Sequence, residues 1–205
     1  MSPKSRKSQI KADALLQQFI ASFSKFDEMA VYRAIDPIAA ALAIGEEDEH
    51  DRVHWQPLKI ETDESLLEPL YARLPARFPP LFEHLVLSYR WAEVDLQLYT
   101  LLANPPGPGL SRLLEQLSKA PALWDALRPA GYLQFAKGPD YDYDPVCFDI
   151  KRRRKNRDCP VVKIDHEEIL CNNRIKVVAE LATGFEELVV QTMAQVPRCS
   201  LHAPS

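Results

Sequence analysis

A chain of 205 residues, 46% hydrophobic and 26% charged, can close one globular domain with or without an extension, and it needs no disulfide staple to do so. Its 25 Lys+Arg against 29 Asp+Glu give a formal net charge of −4, which excludes a general electrostatic attraction to nucleic acid. No apolar run approaches the roughly 20 residues of a membrane-spanning helix; Cys147, Cys159, Cys171 and Cys199 include no CxxC pair, and the N-terminus lacks a secretory apolar core, so a reducing cytoplasm is the expected compartment.

In chain order, residues 1–11 hold Lys4, Arg6, Lys7 and Lys11 without an acid and are expected to form a frayed basic tip. Leu15, Leu16, Phe19, Ile20 and Phe23 then recur at helical spacing. Asp36-Pro37 predicts a further helix that runs through Leu42 and stops at Ala43-Ile44-Gly45. Residues 46–51 are almost wholly acidic, so the segment through Pro57 reads as a solvated connection and not as core. Residues 1–61 are on this reading an N-terminal helical extension. It is expected to pack on the main domain, residues 62–196, because Phe19, Ile20 and Phe23 would otherwise expose a large apolar patch. Residues 197–205 are expected to be a flexible tail.

Leu66, Leu67, Leu70, Tyr71 and Leu74 predict one helix, and Leu81, Phe82, Leu85 and Tyr89 another after Pro79-Pro80. A proline in a first helical turn gives up no intrahelical bond. Three prolines and two glycines make 104–109 a loop, and 110–127 reads as helix broken near Pro121. Beyond Gly131 the period changes to two: Val146, Phe148 and Ile150 alternate with Cys147 and Asp149, Val162 and Ile164 with Lys163 and Asp165, and Ile175, Val177, Ala179 and Leu181 with Arg174, Lys176, Val178 and Glu180. Strands are predicted over 132–136, 146–150 and 161–165. Thr183 and Glu186 stand as a capping box before a helix over 184–194, on which Phe185, Leu188, Val189, Thr192 and Met193 share a face. Phe148, Ile164 and Phe185 are expected in the core.

This order resembles the SUKH superfamily, the Smi and Knr type domains of fungal cell-wall regulation and bacterial toxin immunity. The likeness is carried by Leu74-Pro75 followed by Phe82, Leu85 and Leu87, by Gly131-Tyr132-Leu133-Gln134-Phe135-Ala136, by Asp144-Pro145-Val146-Cys147-Phe148-Asp149, by Cys159-Pro160-Val161-Val162 with Asp165-His166-Glu167, and by Leu181-Ala182-Thr183-Gly184-Phe185-Glu186-Glu187-Leu188. The resemblance implies an α+β fold with a mixed, mainly antiparallel sheet of about six strands flanked by helices. Two features depart from it. Asp140-Tyr141-Asp142-Tyr143-Asp144-Pro145 replaces a glycine-containing turn, and the segment up to about residue 61 lies outside the likeness.

Asp140, Asp142 and Asp144 imitate the opening of an EF-hand loop, but Pro145 stands where the invariant glycine belongs and Lys151 where the bidentate glutamate belongs. No calcium site is expected. Tyr141 and Tyr143 between those acids instead suggest a protein-recognition surface, since tyrosine brings apolar area with a polar tip and the carboxylates select a basic partner. Lys151 to Arg157 holds six cations and reads as a solvated hairpin loop; without interleaved aromatics, nucleic acid is disfavoured as its partner. Asp165-His166-Glu167 lacks a nucleophile at a diagnostic spacing, and His50 with His54 lacks the HExxH glutamate. No catalytic, cofactor or metal residue is therefore assigned. Trp55, Trp91 and Trp124 read as packing anchors and the cysteines as small buried or edge residues.

The resemblance implies a cytoplasmic, non-enzymatic, protein-binding immunity protein that neutralises a cognate toxin, with a basic nuclease as the partner the acidic turn would suit. A regulatory scaffold of the cell-wall-regulator type is the alternative, and a hydrolase or metal enzyme ranks last. Oligomeric state is not legible in the sequence.

Overall fold

The apolar stripe of the first segment makes one long helix in the computed structural model, which describes residues 3–32 and 40–196. This helix, α1 (Pro3–Ser22), buries Leu16 and Phe19, and Phe23 comes next in a 3-10 turn. It reaches back to Pro3, into the stretch expected to fray. Asp36-Pro37 and the tail beyond 196 lie outside the described residues. Ala40–Leu42 form a turn and not the end of a helix.

Short strands correct the purely helical expectation for the extension. Strands β1 (Ala30–Tyr32), β2 (Ala43–Ile44) and β3 (Arg52–Trp55) form a small antiparallel sheet in the order β1-β3-β2, and β4 (Leu58–Lys59) comes after them. The acidic residues 46–51 are the connection between β2 and β3, as their charge predicts, but Val53 and Trp55 just beyond them are core. These strands are two to four residues long, too short for alternation to register.

Asp63 opens the next segment by accepting from Ser65 N at 2.8 Å, and a 3-10 turn leads into one turn of helix, α2 (Glu68–Tyr71). Pro80 starts α3 (Pro80–Ser88), which ends abruptly as the chain extends into β5 (Tyr89–Arg90), paired with β4. Strands β6 (Val94–Asp95) and β7 (Thr100–Leu101) precede the proline loop, and α4 (Ser111–Leu117) and α5 (Pro121–Leu127) succeed it, separated at Pro121 as predicted. The remaining elements are β8 (Tyr132–Lys137), β9 (Pro145–Asp149), β10 (Val161–Ile164), α6 (His166–Asn172), β11 (Val177–Ala182) and α7 (Phe185–Ala194).

Six strands form the main sheet in the order β11-β10-β9-β8-β7-β6, so each pairs with its neighbour in sequence, and every pairing is antiparallel. The α+β class and the count of about six strands agree with expectation. Helices cover both faces. On one, Leu133, Phe135, Phe148 and Val161 join Phe19, Phe23, Phe82, Phe185 and Leu188 in a single apolar cluster; on the other, Tyr132, Cys147, Val162 and Ile164 meet Leu123, Leu127 and Ile169 from α5 and α6. Phe148, Ile164 and Phe185 are fully buried. Phe19 of the extension stands edge-on to Phe185 with centroids 6.5 Å apart, so α1 belongs to this core.

The capping box is displaced by one residue. Glu187, not Glu186, accepts from Thr183 N at 2.8 Å and from its hydroxyl, while Asp158 accepts from Phe185 N at 3.2 Å. A carboxylate 27 residues away in sequence does what local spacing assigned to a neighbour.

Candidate functional site: the Asp-Tyr hairpin turn

The five residues singled out in the sequence, Asp140, Tyr141, Asp142, Tyr143 and Asp144, form the turn between β8 and β9. It is closed by the Lys137–Pro145 pair and by Gly138 N donating to Asp144 O at 2.9 Å. Asp142 N donates to Pro139 O at 3.0 Å, and Asp144 N to Asp142 Oδ1 at 2.9 Å. Asp140 sits at φ 54, left-handed backbone that aspartate tolerates better than bulkier residues. Gly138 is required for space, since a Cβ there would meet the Asp142 carboxylate carbon at 2.2 Å.

The three carboxylates do not act alike, although alternate spacing suggested one acidic face. Asp142 Oδ2 accepts from Lys163 Nζ on β10, and the same ammonium lies 3.8 Å from Asp144 Oδ2. Asp144 Oδ1 accepts from His166 N at 2.9 Å and lies 2.7 Å from His166 Nδ1. Burial pushes the Asp142 carboxyl up, but the bonds from Lys163 and from Asp144 N outweigh it and leave it below the usual aspartate value. A lysine thus occupies the place an EF-hand would give to calcium. Only Asp140 is exposed, and its amide donates to Asp95 Oδ2 at 3.1 Å.

The outward side of the turn is aromatic. Tyr141 is 90% exposed and Tyr143 58%, the latter edge-on to the His166 ring at 6.1 Å. Beside them lies an open groove of about 460 Å³ lined by Phe26, Asp27, Glu28, Asp95, Gln97 and Asp140 with Pro139. Its carboxylates are linked through main-chain amides: Asp27 Oδ2 accepts from Asp95 N at 3.2 Å, and Asp95 in turn holds Asp140. Asp27, Glu28 and Asp95 were missed in the sequence, because isolated acids in ordinary loops carry no spacing signal.

The other sequence candidates are not assembled into a site. Asp165 caps α6 by accepting from Glu168 N at 3.1 Å and pairs with Lys176 at 3.0 Å, while His166 beside it bonds Asp144. The Asp165-His166-Glu167 stretch thus opens a helix where β10 ends. His50, on the β2–β3 connection, faces Glu49 at 3.7 Å, and His54, on β3, faces Asp48 at 3.5 Å. No group of three or more potential metal-ligating residues exists among the described residues. Cys147 and Cys159 are buried; burial pushes the Cys147 thiol well up and the Cys159 thiol up to about 12, and Cys171 is exposed. Trp55 and Trp91 are packed in the core, and Trp124 is half-buried beneath Arg128.

Fold and site together define an α+β protein with a six-stranded antiparallel meander that displays a hydrogen-bonded, tyrosine-bearing turn beside an acidic groove. Among known proteins no family model, no curated protein and no solved structure matches the chain. No described helix is long and apolar enough to cross a membrane.

Proposed function

We propose that this chain is a non-enzymatic protein-binding domain of the SUKH type, an immunity protein that neutralises a basic, nuclease-type toxin by direct contact. The observation that carries the reading is the exposure of Tyr141 and Tyr143 on a turn fixed from behind by Lys163, His166 and Asp95. Holding two large side chains out in water on braced backbone lowers the ordering cost a partner must overcome, and aromatic side chains are favoured anchors of interfaces. The groove acids beside them supply the charge that steers a basic partner. The mechanism is occlusion: the turn covers the cationic surface on which the toxin holds its substrate.

The test is co-expression with the product of an adjacent gene that is toxic when expressed alone. Rescue of growth, co-purification of the two proteins, and loss of both with Tyr141→Ala/Tyr143→Ala support the reading. Rescue without a complex, or a complex indifferent to both tyrosines, rejects it.

A further inference from the structure

The strand hairpin that carries the acidic turn has an opposite end, about 20 Å away for a six-residue strand, and that end is basic. The β9–β10 connection leaves there with Lys151, Arg152, Arg153, Arg154, Lys155 and Arg157 and one acid, Asp158, whose Oδ1 is turned to the amides of Cys159 and Phe185. Two other segments pack beside it. Ile150 N donates to Gly131 O at 3.1 Å, and the Lys151 stem lies on Gly131, whose φ of +82 and missing Cβ make the approach possible, since a Cβ would stand 2.7 Å from Lys151 Cγ. Gly131 N donates to Arg128 O, Arg128 donates to Arg73 O at 3.3 Å, and Arg153 donates to Arg77 O. Residues 71–78, 124–132 and 151–157 therefore make one surface with nine cations and one acid, Asp125.

Nucleic acid was disfavoured on two grounds, the net charge of −4 and the absence of an aromatic within the basic run, and the second is linear. The fold supplies the aromatics from elsewhere. Each of the three segments brings one cation over a ring: Arg77 over Tyr71 at 4.9 Å, Arg128 over Trp124 at 5.3 Å, and Lys151 over Tyr132 at 4.1 Å. These rings fix the positions of otherwise flexible cations. Arg152 is taken up by Asp149 and Glu180, and Arg77 and Arg157 share the largely buried Glu83. Arg73, Arg128, Lys151, Arg154 and Lys155 make no ion pair among the described residues.

We infer that this face binds the phosphate backbone of a nucleic acid without reading its sequence. Two features favour that partner over an acidic protein. Arginine predominates, and its planar fork matches phosphate oxygens. None of the exposed large apolar side chains (Ile10, Ile44, Leu66, Tyr141, Tyr143, Leu170, Val177, Val178, Val190) belongs to these segments, so the face lacks the apolar anchor a protein interface needs, whereas backbone binding is carried by cations alone. The net charge of −4 is a chain average, and it hides a molecule acidic at one end of a hairpin and basic at the other.

Fluorescence anisotropy with the full chain tests this, using labelled single-stranded RNA and duplex DNA of about 20 nucleotides per strand, and a polyglutamate peptide of similar charge, at about 50 mM salt. Nucleic acid should bind at least tenfold more tightly than polyglutamate, with log K falling by about 3 to 4 per tenfold rise in salt for a single strand touching about five phosphates. Arg154→Glu/Lys155→Glu should weaken binding at least tenfold with an unchanged unfolding midpoint, and adding Arg73→Glu should abolish it. Asp140→Asn/Glu28→Gln, at the other pole, should not weaken it. No binding of either nucleic acid, binding untouched by the reversals, or polyglutamate bound equally well would each overturn the inference, the last assigning the face to an acidic protein. None of these outcomes bears on the Asp-Tyr turn.

Discussion

Arg90 and Asn104 donate to the same two main-chain carbonyls. Arg90 Nη1 lies 2.6 Å from Val86 O and 2.9 Å from Tyr89 O, and Asn104 Nδ2 lies 3.1 and 2.8 Å from them. Helix α3 stops at Ser88 in the interior, where Val86 and Tyr89 are buried, and these two side chains satisfy the carbonyls left open at its end. Arg90 is 2% exposed and, among the described residues, bonds no carboxylate, only these carbonyls and the Thr62 hydroxyl at 2.7 Å; burial holds its guanidinium below the usual arginine value. The negative end of the helix dipole supplies its counter-charge. Because each donor covers for the other, Asn104→Ala alone should cost only about 0.5–1.5 kcal/mol. In urea denaturation, Arg90→Met/Asn104→Ala should lose about 0.5 kcal/mol or more beyond the sum of the single losses. Simple additivity would mean that the carbonyls are not shared in solution.

Phe148 stands at the centre of the aromatic cluster, stacked on Phe135 at 4.1 Å and edge-on to Phe82 at 5.2 Å and Phe185 at 5.8 Å. Phe148→Ala and Phe185→Ala should each cost about 3–5 kcal/mol. Phe19→Ala should cost a similar amount within the same single transition, because α1 packs into this cluster. A separate, unaffected second transition in calorimetry would show that the extension folds apart from the sheet.

The half of the fold beyond Gly131 was legible because its strands are four to six residues long and alternate, and because α7 keeps Phe185, Leu188, Val189 and Thr192 on one face. The first half was read less well. β2, β4, β5, β6 and β7 have two residues each, and what fixes them is pairing with distant segments, such as Leu58 with Arg90. β11 shows the same limit within the legible half: its expected alternation is blurred by two register shifts at the sheet edge, where Val177 and Val178 are both exposed. At the candidate site, composition showed an acidic, tyrosine-rich turn but not that Lys163 and His166 claim two of its acids. Of the basic face only the run from Lys151 to Arg157 was visible, because Arg73, Arg77 and Arg128 join it from separated segments.

Stability should fall in acid, in part through Asp142. Its folded pKa lies below the ordinary 3.8, so its contribution is fully present above that value and is lost as pH falls through the folded pKa. Asp48, lowered to about 2 chiefly by the Arg52 amide, and Asp165, lowered by the Glu168 amide and Lys176, add to the same trend. Asp142→Asn should therefore lower the denaturation midpoint at pH 7, and the gap to the parent protein should close as pH drops below 3.8. A gap of constant size down to pH about 2 would assign the loss to packing instead of charge.

The last prediction separates what the turn shows from what holds it. Asp142 and Asp144 are tied to Lys163 and His166, so replacing them with asparagine should loosen the turn and lower stability. Asp140 is exposed and, among the described residues, bonds only through its amide, and Glu28, paired with Arg52, lines the groove beside it. Asp140→Asn/Glu28→Gln should change the unfolding midpoint little, since Glu28 gives up only a surface ion pair with Arg52, while slowing association with a basic partner and flattening its salt dependence, since exposed charges act through long-range steering. Tyr141→Ala should act on the other rate: its ring is the most exposed large side chain of the turn, and losing it should speed dissociation by about tenfold or more. Stopped-flow association at low and high salt, then dissociation under competition, reads both. Rates unchanged by all three substitutions would remove this turn from the interface and leave Lys163 and His166 as the braces of an ordinary solvated hairpin.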